Sequence, residues 1–334
     1  FTKPFHSYQP QAHLFHASYA CGGIAIGDVD GHGLPDIFLS GTTSKSKLYR
    51  NLGDFRFQDV TSDADVAGGD VWSVGAAMVD IDGDEDLDIY VCNYDAPNYL
   101  YINDGTGRFT EEAEQFGLAT RTASLMAHFC DFDRDGDLDM YLLAYRYYRP
   151  NGRPRSVEAV MKDGRPVLTP EFAKYYALVS DGTTNFANWS YTEIGCLDHL
   201  YRNDQGHFTD AREQAGLAGE PTYGNSVTCY VGNDFTDPDR LYKNNRDGTF
   251  TEVIREATPQ TTWYSMGSMT GDLNNDGRPD LVVADMGSSS HYKSKMMMGD
   301  MNRFRSFMDT SEPRQHMRNC VFLATGTPRL LEAG

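Results

Sequence analysis

Oxygen-bearing side chains stand at alternate positions in four short segments of this sequence. They are Asp28, Asp30 and Asp36; Asp80, Asp82, Asp84 and Asp88; Asp131, Asp133, Asp135 and Asp139; and Asp272, Asn274, Asp276 and Asp280. With the first Asp of each segment as position one, the oxygens fall at positions one, three, five and nine. Two carboxylates about 4 Å apart repel by roughly 4 kcal/mol at an effective dielectric near 20. Several brought together would raise one another's pKa or force the loop open. A bound cation removes that conflict. Oxygen-only ligands in a tight loop suit a hard ion, and a set of about six to eight flexible oxygens suits Ca2+ better than Mg2+. Transition metals would require His or Cys, which are nearly absent from these segments.

The segments begin like EF-hand loops, but an EF-hand needs a bidentate Glu at position twelve and a helix on either side. Position twelve is Leu39, Val91, Leu142 and Val283, all strand-type apolar residues. The EF-hand is therefore excluded, and the Asp at position nine is expected to close the coordination. The third loop has the full pattern, with Gly136 at position six where a positive φ is expected. The fourth is nearly as complete, with Asn274 as a neutral donor. His32 replaces the fifth-position carboxylate of the first loop, and Glu85 stands in the second where the others have Gly, at a cost on the order of 1 kcal/mol. Up to four Ca2+ sites are expected, the best in the loops starting at Asp131 and Asp272. The competing reading is that these are solvated Asp-Gly turns between strands.

Elements that could hold such loops follow from the repeat. The phrases DVDGHGLPDIFL, DIDGDEDLDIYV, DFDRDGDLDMYL and DLNNDGRPDLVV open at Asp28, Asp80, Asp131 and Asp272, the first three separated by 52 and 51 residues. A second phrase, LYxN followed by a Gly turn and an F-x-[DE] segment, recurs from Lys47, Tyr99, His199 and Arg240. A unit of about 50 residues with short β-rich runs broken by Gly and Asp fits one four-stranded propeller blade. Each such sheet cannot bury both faces alone, so neighbours must stack. The expectation is an all-β chain, a β-propeller of four-stranded blades forming one unit over 1–334, with about five repeats visible.

The D-x-D-x-D-G-x-x-D loop followed by LYxNxGxGxF resembles the FG-GAP/VCBS repeat of integrin-α-like β-propellers. GGIAIGDVDGHGLPDIFLSG, VDIDGDEDLDIYVCNYDAPNYLYIND and VGNDFTDPDRLYKNN resemble the secreted bacterial VCBS-repeat proteins that often carry an ASPIC/UnbV segment. The resemblance covers most of the chain. It implies a Ca2+-stabilised extracytoplasmic propeller, usually of seven blades and often within a longer protein, and it implies no defined reaction.

The repeat is interrupted in three places. Asn103 to Asn203 spans 100 residues, which marks 145–196 as an insertion; Asn203 to Asn244 spans only 41, with no acidic loop in GNSVTCYVGNDF. Either that blade has a short turn near Thr228 and Cys229, or about ten residues are missing. A second insertion is read at 286–319, and NCVFLATGTPRLLEAG then resembles a final LYxN phrase, so the propeller is either incomplete or part of a larger one. The insertions together carry a net charge of +5, leaving −24 on the rest. Long loops in compact domains are seldom neutral decoration. The first holds Tyr145, Arg146, Tyr147, Tyr148, Arg149, Tyr175, Tyr176 and Trp189, which suit stacking on sugars or anchoring a protein, or else packing onto the propeller. The second alternates Met296, Met297, Met298, Met301 and Met308 with Lys293, Lys295, Arg303 and Arg305, as a short amphipathic helix would.

Composition narrows the function. The 334 residues carry 29 Lys and Arg against 48 Asp and Glu, a formal charge of −19, which argues against sequence-independent binding to nucleic acid or an anionic membrane. No apolar run approaches the ~18 residues of a membrane helix, and the chain opens FTKPFHSYQP without an apolar leader, so a soluble chain, mature or a fragment, is expected. Six cysteines form no CxxC pair; their even number permits disulfides. No HExxH, Walker loop, GxSxG elbow or GxGxxG is present. The expected function is a noncatalytic extracellular calcium-binding propeller that binds protein or polysaccharide through its insertions and top-face loops. One alternative is a polysaccharide lyase or glycoside hydrolase, for which carboxylates are plentiful. Another is a structural subunit of a surface assembly or filament.

Overall fold

The computed structural model describes residues 22–42, 44–145, 157–163, 165–180, 189–217, 224–227, 230–233, 238–286 and 312–333. The first blade is the meander β1 (Ile24–Gly27), β2 (Asp36–Leu39), β3 (Lys47–Asn51) and β4 (Phe57–Asp59), followed by the helical turn α1 (Thr61–Ala64). The second is β5 (Trp72–Val79), β6 (Asp88–Pro97), β7 (Tyr99–Asn103) and β8 (Phe109–Glu111). The third begins with β9 (Arg121–Cys130) and β10 (Asp139–Ala144). It is then interrupted by β11 (Ala159–Lys162), β12 (Arg165–Leu168), α2 (Pro170–Ala173), β13 (Tyr176–Ser180) and β14 (Trp189–Glu193), and is completed by β15 (His199–Asn203) and β16 (Phe208–Asp210). The fourth is β17 (Gly224–Val227), β18 (Tyr230–Asn233), β19 (Arg240–Asn244) and β20 (Phe250–Glu252), with α3 (Ile254–Ala257) after it. After β21 (Gln260–Thr262) the fifth runs through β22 (Ser265–Gly271) and β23 (Asp280–Asp285), then past β24 (Arg314–His316) to β25 (Cys320–Ala324) and β26 (Leu330–Glu332). β24 pairs in parallel with β21.

The innermost strands are neighbours in space in the order of the chain: β1 beside β5, β5 beside β9, β9 beside β17, and β17 beside β22. This is the all-β propeller of four-stranded blades that the repeat predicts. Strand alternation builds its core between blades rather than within them. On β6, Ile89 and Val91 pack toward the first blade with Phe38, Leu48 and Val66. Tyr90 and Cys92, one residue out of step, pack toward the third with Met140, Leu142 and Phe208. Burying a side chain such as the fully enclosed Phe38 stabilises the fold by roughly 1.5–3 kcal/mol. Blades two and three are further joined by main chain, because β6 runs on until Tyr94, Ala96 and Pro97 pair with Ala123, Thr122 and Arg121 of β9.

Both interruptions lie between the second and third strands of a blade, and β10 still pairs directly with β15 and β23 with β25. Antiparallel order puts that connection at the end of the blade opposite the acidic loop, which joins strands one and two. In the fourth blade β17 and β18 pair as a tight hairpin with Val227 opposite Val231, and no acidic loop intervenes. The closing phrase supplies the third and fourth strands of the fifth blade.

Two side-chain devices recur, the first in blades one to four and the second in all five. The Asn of the LYxN phrase accepts a bond at Oδ1 from the hairpin turn: Asn51 from Gly53 N–H, Asn103 from Gly107, Asn203 from Gly206, Asn244 from Arg246. Its Nδ2 donates to the carbonyl at loop position eight, Pro35, Leu87 or Leu138. Asn103 and Asn244 also reach the preceding blade, donating to Val29 O at 2.8 Å and Phe132 O at 2.7 Å. At the opposite end, the residue just before the third strand accepts a backbone N–H from the end of the second. These pairs are Ser46 with Gly41, Asn98 with Asn93, Asp198 with Ala144, Asp239 with Asn233 and Asn319 with Asp285.

Asp239 is fully buried. Besides Asn233 N–H it accepts from Ser265 Oγ at 2.7 Å, Thr262 Oγ1 at 2.8 Å and the Tyr230 hydroxyl. Burial pushes its carboxyl up to about 6 against these donors.

Replacing Asn103 with Ala leaves buried backbone groups in two blades unpaired and is expected to cost about 2–4 kcal/mol. Asn245→Ala, at an exposed turn position, should stay within about 0.5 kcal/mol; urea unfolding in chelator checks both. The Asp239 carboxyl holds its proton to about pH 6 when folded, against an ordinary value of 3.8. Its contribution to stability is therefore full below about pH 4 and lost as pH rises through 6. The stability of the native chain relative to Asp239→Asn should fall by on the order of 2–3 kcal/mol between about pH 4 and 7; a difference independent of pH would refute the assignment.

Candidate metal centre

All four acidic loops share one backbone path, with positive φ at positions four and six: Gly31 and Gly33, Gly83 and Glu85, Arg134 and Gly136, Asn275 and Gly277. Gly136 takes the left-handed conformation expected of it, and Glu85 adopts it without being glycine. The position-four requirement, met by Arg134 and Asn275, was not legible in the sequence.

Positions one and nine build the frame. The Asp at position one accepts the N–H groups of the turn, as in Asp28 from His32 and Gly33, Asp80 from Gly83 and Glu85, Asp131 from Arg134 and Gly136, and Asp272 from Asp276 and Gly277. The Asp at position nine is completely buried in every loop. Its Oδ2 accepts from position two: Asp36 from Val29, Asp88 from Ile81, Asp139 from Phe132, Asp280 from Leu273. Its Oδ1 accepts from the end of the third strand, at Asn51, Asn103, Asn203 and Ala324. Each of these four carboxylates thus ties three strands before any ion is considered.

Position three completes the cluster. Asp80, Asp82 and Asp88 place one carboxylate oxygen each within 4.8 Å of the others; so do Asp131, Asp133 and Asp139, and so do Asp28, Asp30 and Asp36 together with a ring nitrogen of His32. Burial and then repulsion from Asp84 raise the Asp82 carboxyl, and burial and then Asp135 raise Asp133. Asp88 is pushed up to about 7 and Asp139 to about 6, chiefly by burial. Among the described residues no basic side chain forms an ion pair with Asp80, Asp82, Asp88, Asp131, Asp133 or Asp139.

Position five does not join these sets. Asp84 and Asp135 turn their Oδ1 onto the N–H of Asp86 and Asp137. Asp86, at position seven and absent from the sequence-derived set, lies close instead: burial and then Asp84 and Asp82 push it up to about 6, and its buried Oδ1 has no hydrogen-bond partner.

The first and fourth loops contain their own cations. Arg50 Nε lies 2.7 Å from Asp30 Oδ2, and His32 Nδ1 lies 2.5 Å from Asp30 Oδ1 and 3.1 Å from Asp28 Oδ1. In the fourth loop Arg278 Nη1 contacts Asp276 Oδ2 at 3.3 Å and Asn274 Nδ2 donates to the same oxygen. Position three of this loop is Asn274, so of the positions whose carboxylates cluster in the other loops only Asp272 and Asp280 are acidic.

The donor set of the second and third loops fits a hard divalent ion: crowded carboxylates with raised affinity for a positive charge and, among the described residues, no ion-pair contact; Arg202 acts on Asp133 only at longer range. Most of the aromatic–basic run after Tyr145 and the Met-rich segment 296–308 lie outside the described residues, as do Thr228 and Cys229. Among the described residues Cys92, Cys196 and Cys320 are buried, unbridged thiols, and no helix is long and apolar enough to cross a membrane.

Comparison with known proteins agrees with this geometry. The FG-GAP-like repeat family model matches residues 28–91, 80–142 and 225–283, just over half of the chain. Cartilage acidic protein 1 of Xenopus tropicalis is 28% identical over 155 residues, covering 43% of this chain and 24% of that protein. Its Homo sapiens counterpart is 28% identical over 130 residues, covering 37% and 19%. The match thus spans about a quarter or less of these relatives' length. A solved Agrocybe aegerita lectin that recognises non-reducing terminal N-acetylglucosamine aligns with 92% of this chain and 77% of its own. Its identity is 16% and its TM-score 0.34, a likeness too loose to bear on the fold. The repeats at residues 28–142 and 225–283 place the chain in the FG-GAP-like repeat family.

Proposed function

We propose that this protein is a noncatalytic, extracytoplasmic calcium-binding propeller that serves as a binding module for a protein or polysaccharide partner. The observation that carries the reading is the gathering of three carboxylates in each of the second and third loops, none of them in an ion pair among the described residues. Asp80, Asp82 and Asp88 would hold one ion and Asp131, Asp133 and Asp139 another. When bound, the ion supplies positive charge and does no covalent chemistry. The residues themselves fix the turn to the buried frame at position nine. The fourth loop, with the neutral Asn274 in place of the third carboxylate, would bind more weakly.

A partner-binding role draws on the distribution of charge and topology. The basic insertions emerge at the blade end opposite the acidic loops, so an ion-stabilised end and a partner-facing end are separated by the length of a strand. Free Ca2+ is abundant outside cells, and membership of the FG-GAP-like family supports the same location.

Chelation should lower the melting temperature and millimolar Ca2+ should restore it, since an ion bound by the folded state at 100 times its Kd stabilises by about 2.7 kcal/mol. Asp133→Ala should lose the third loop's share of that response and keep the second loop's. Identical melting curves with chelator and with Ca2+ would overturn the reading. Incubation with polysaccharides should leave them uncut on product analysis; cleavage would favour an enzyme.

A further inference from the structure

The first loop departs from the second and third in what surrounds Asp30. Both oxygens of that carboxylate lie in charge contact with a basic side chain, Oδ1 2.5 Å from His32 Nδ1 and Oδ2 2.7 Å from Arg50 Nε, without hydrogen-bond geometry in either contact. His32 is hydrogen-bonded from both sides, Nδ1 to Asp28 Oδ1 at 3.1 Å and Nε2 to the carbonyl oxygen of Asn51 at 2.7 Å. Carboxylates and a carbonyl only accept hydrogen bonds, so both ring nitrogens must donate, and a ring that donates from both carries a positive charge. The loop therefore gathers Asp28, Asp30 and Asp36 around an imidazolium and a guanidinium.

The corresponding positions elsewhere lack this pair. Position five is Asp84 and Asp135 in the second and third loops, and the residue matching Arg50 on the third strand is Ile102 in the second blade. In the third blade it is Arg202, which pairs with Asp204 at 2.8 Å and acts on Asp133 only at longer range, without an ion-pair contact.

We propose that His32 and Arg50 take the place of the cation in the first loop, so that this blade is pinned by internal charge and binds no divalent ion. The proposal rests on the second and third loops being ion sites. Its geometric ground is that a guanidinium and an imidazolium stand in charge contact with the two oxygens of Asp30 that an ion would otherwise coordinate. An arriving ion would have to displace both against like-charge repulsion.

Counting bound ions by native mass spectrometry, with Ca2+ and separately with Zn2+, tests this. Asp30→Asn should leave the count of the full chain unchanged in both metals. The double variant His32→Asp/Arg50→Gln, which gives the first loop the acidic pattern of the third, should gain one Ca2+, with folding checked by circular dichroism. If Asp30→Asn loses an ion, or if the folded double variant gains none, the proposal is overturned. Loss of Zn2+ alone would instead make His32 a transition-metal ligand. Asp133→Asn in the same Ca2+ titration should lose one ion. A native chain that binds no Ca2+ would remove the reading of the third loop without touching the first, whose own test remains the gain in the double variant.

Discussion

A carboxylate with no exposure to solvent, tied to two backbone N–H groups, sits at the ninth position of every acidic loop. Asp36, Asp88, Asp139 and Asp280 each join the turn after the first strand to the end of the third, so the loop, the second strand and the outer hairpin are held in one register. Burying such a group is costly unless it is hydrogen-bonded and paired. The two N–H groups offset part of the cost and bring no net charge. Counter-charge must come from elsewhere, and the acids at positions one and three concentrate the demand in a single place.

The blades answer that demand differently. In the second and third the carboxyls at position nine are pushed up to about 7 and about 6, chiefly by burial. In the first, two basic side chains stand against the cluster, and in the fourth acidic loop an arginine has moved onto position five. One backbone path therefore carries different charge solutions.

Much of this was legible in the residues. The spacing of the acidic phrases gave the blade repeat, and the strand-type residue at position twelve ruled out flanking helices. The insertions and the shortened fourth blade showed as changes in interval. Other features depend on what register brings together. Arg50 meets Asp30 across a hairpin, which no local pattern reveals. Asp84 and Asp135 are turned aside because left-handed residues at positions four and six direct them onto the following N–H groups. The residue before each third strand was hidden for another reason: Ser46, Asn98, Asp198, Asp239 and Asn319 share a function, accepting one hydrogen bond, but not a letter. The LYxN Asn was visible as a repeat, yet its bonds to the neighbouring blade needed the assembled sheets.

The long β6 has a mechanical consequence. Where its last residues pair with β9, two blades become one eight-stranded ladder, and sliding one past the other would break main-chain hydrogen bonds rather than merely shear greasy side chains. Bending or breathing must then be taken up at the other seams, where the described ties are apolar packing and isolated hydrogen bonds such as Ser40 Oγ to Val74 O and Ser265 Oγ to Asp239. The second and third blades thus act as a stiff double plate, and the chain is compliant on either side of it.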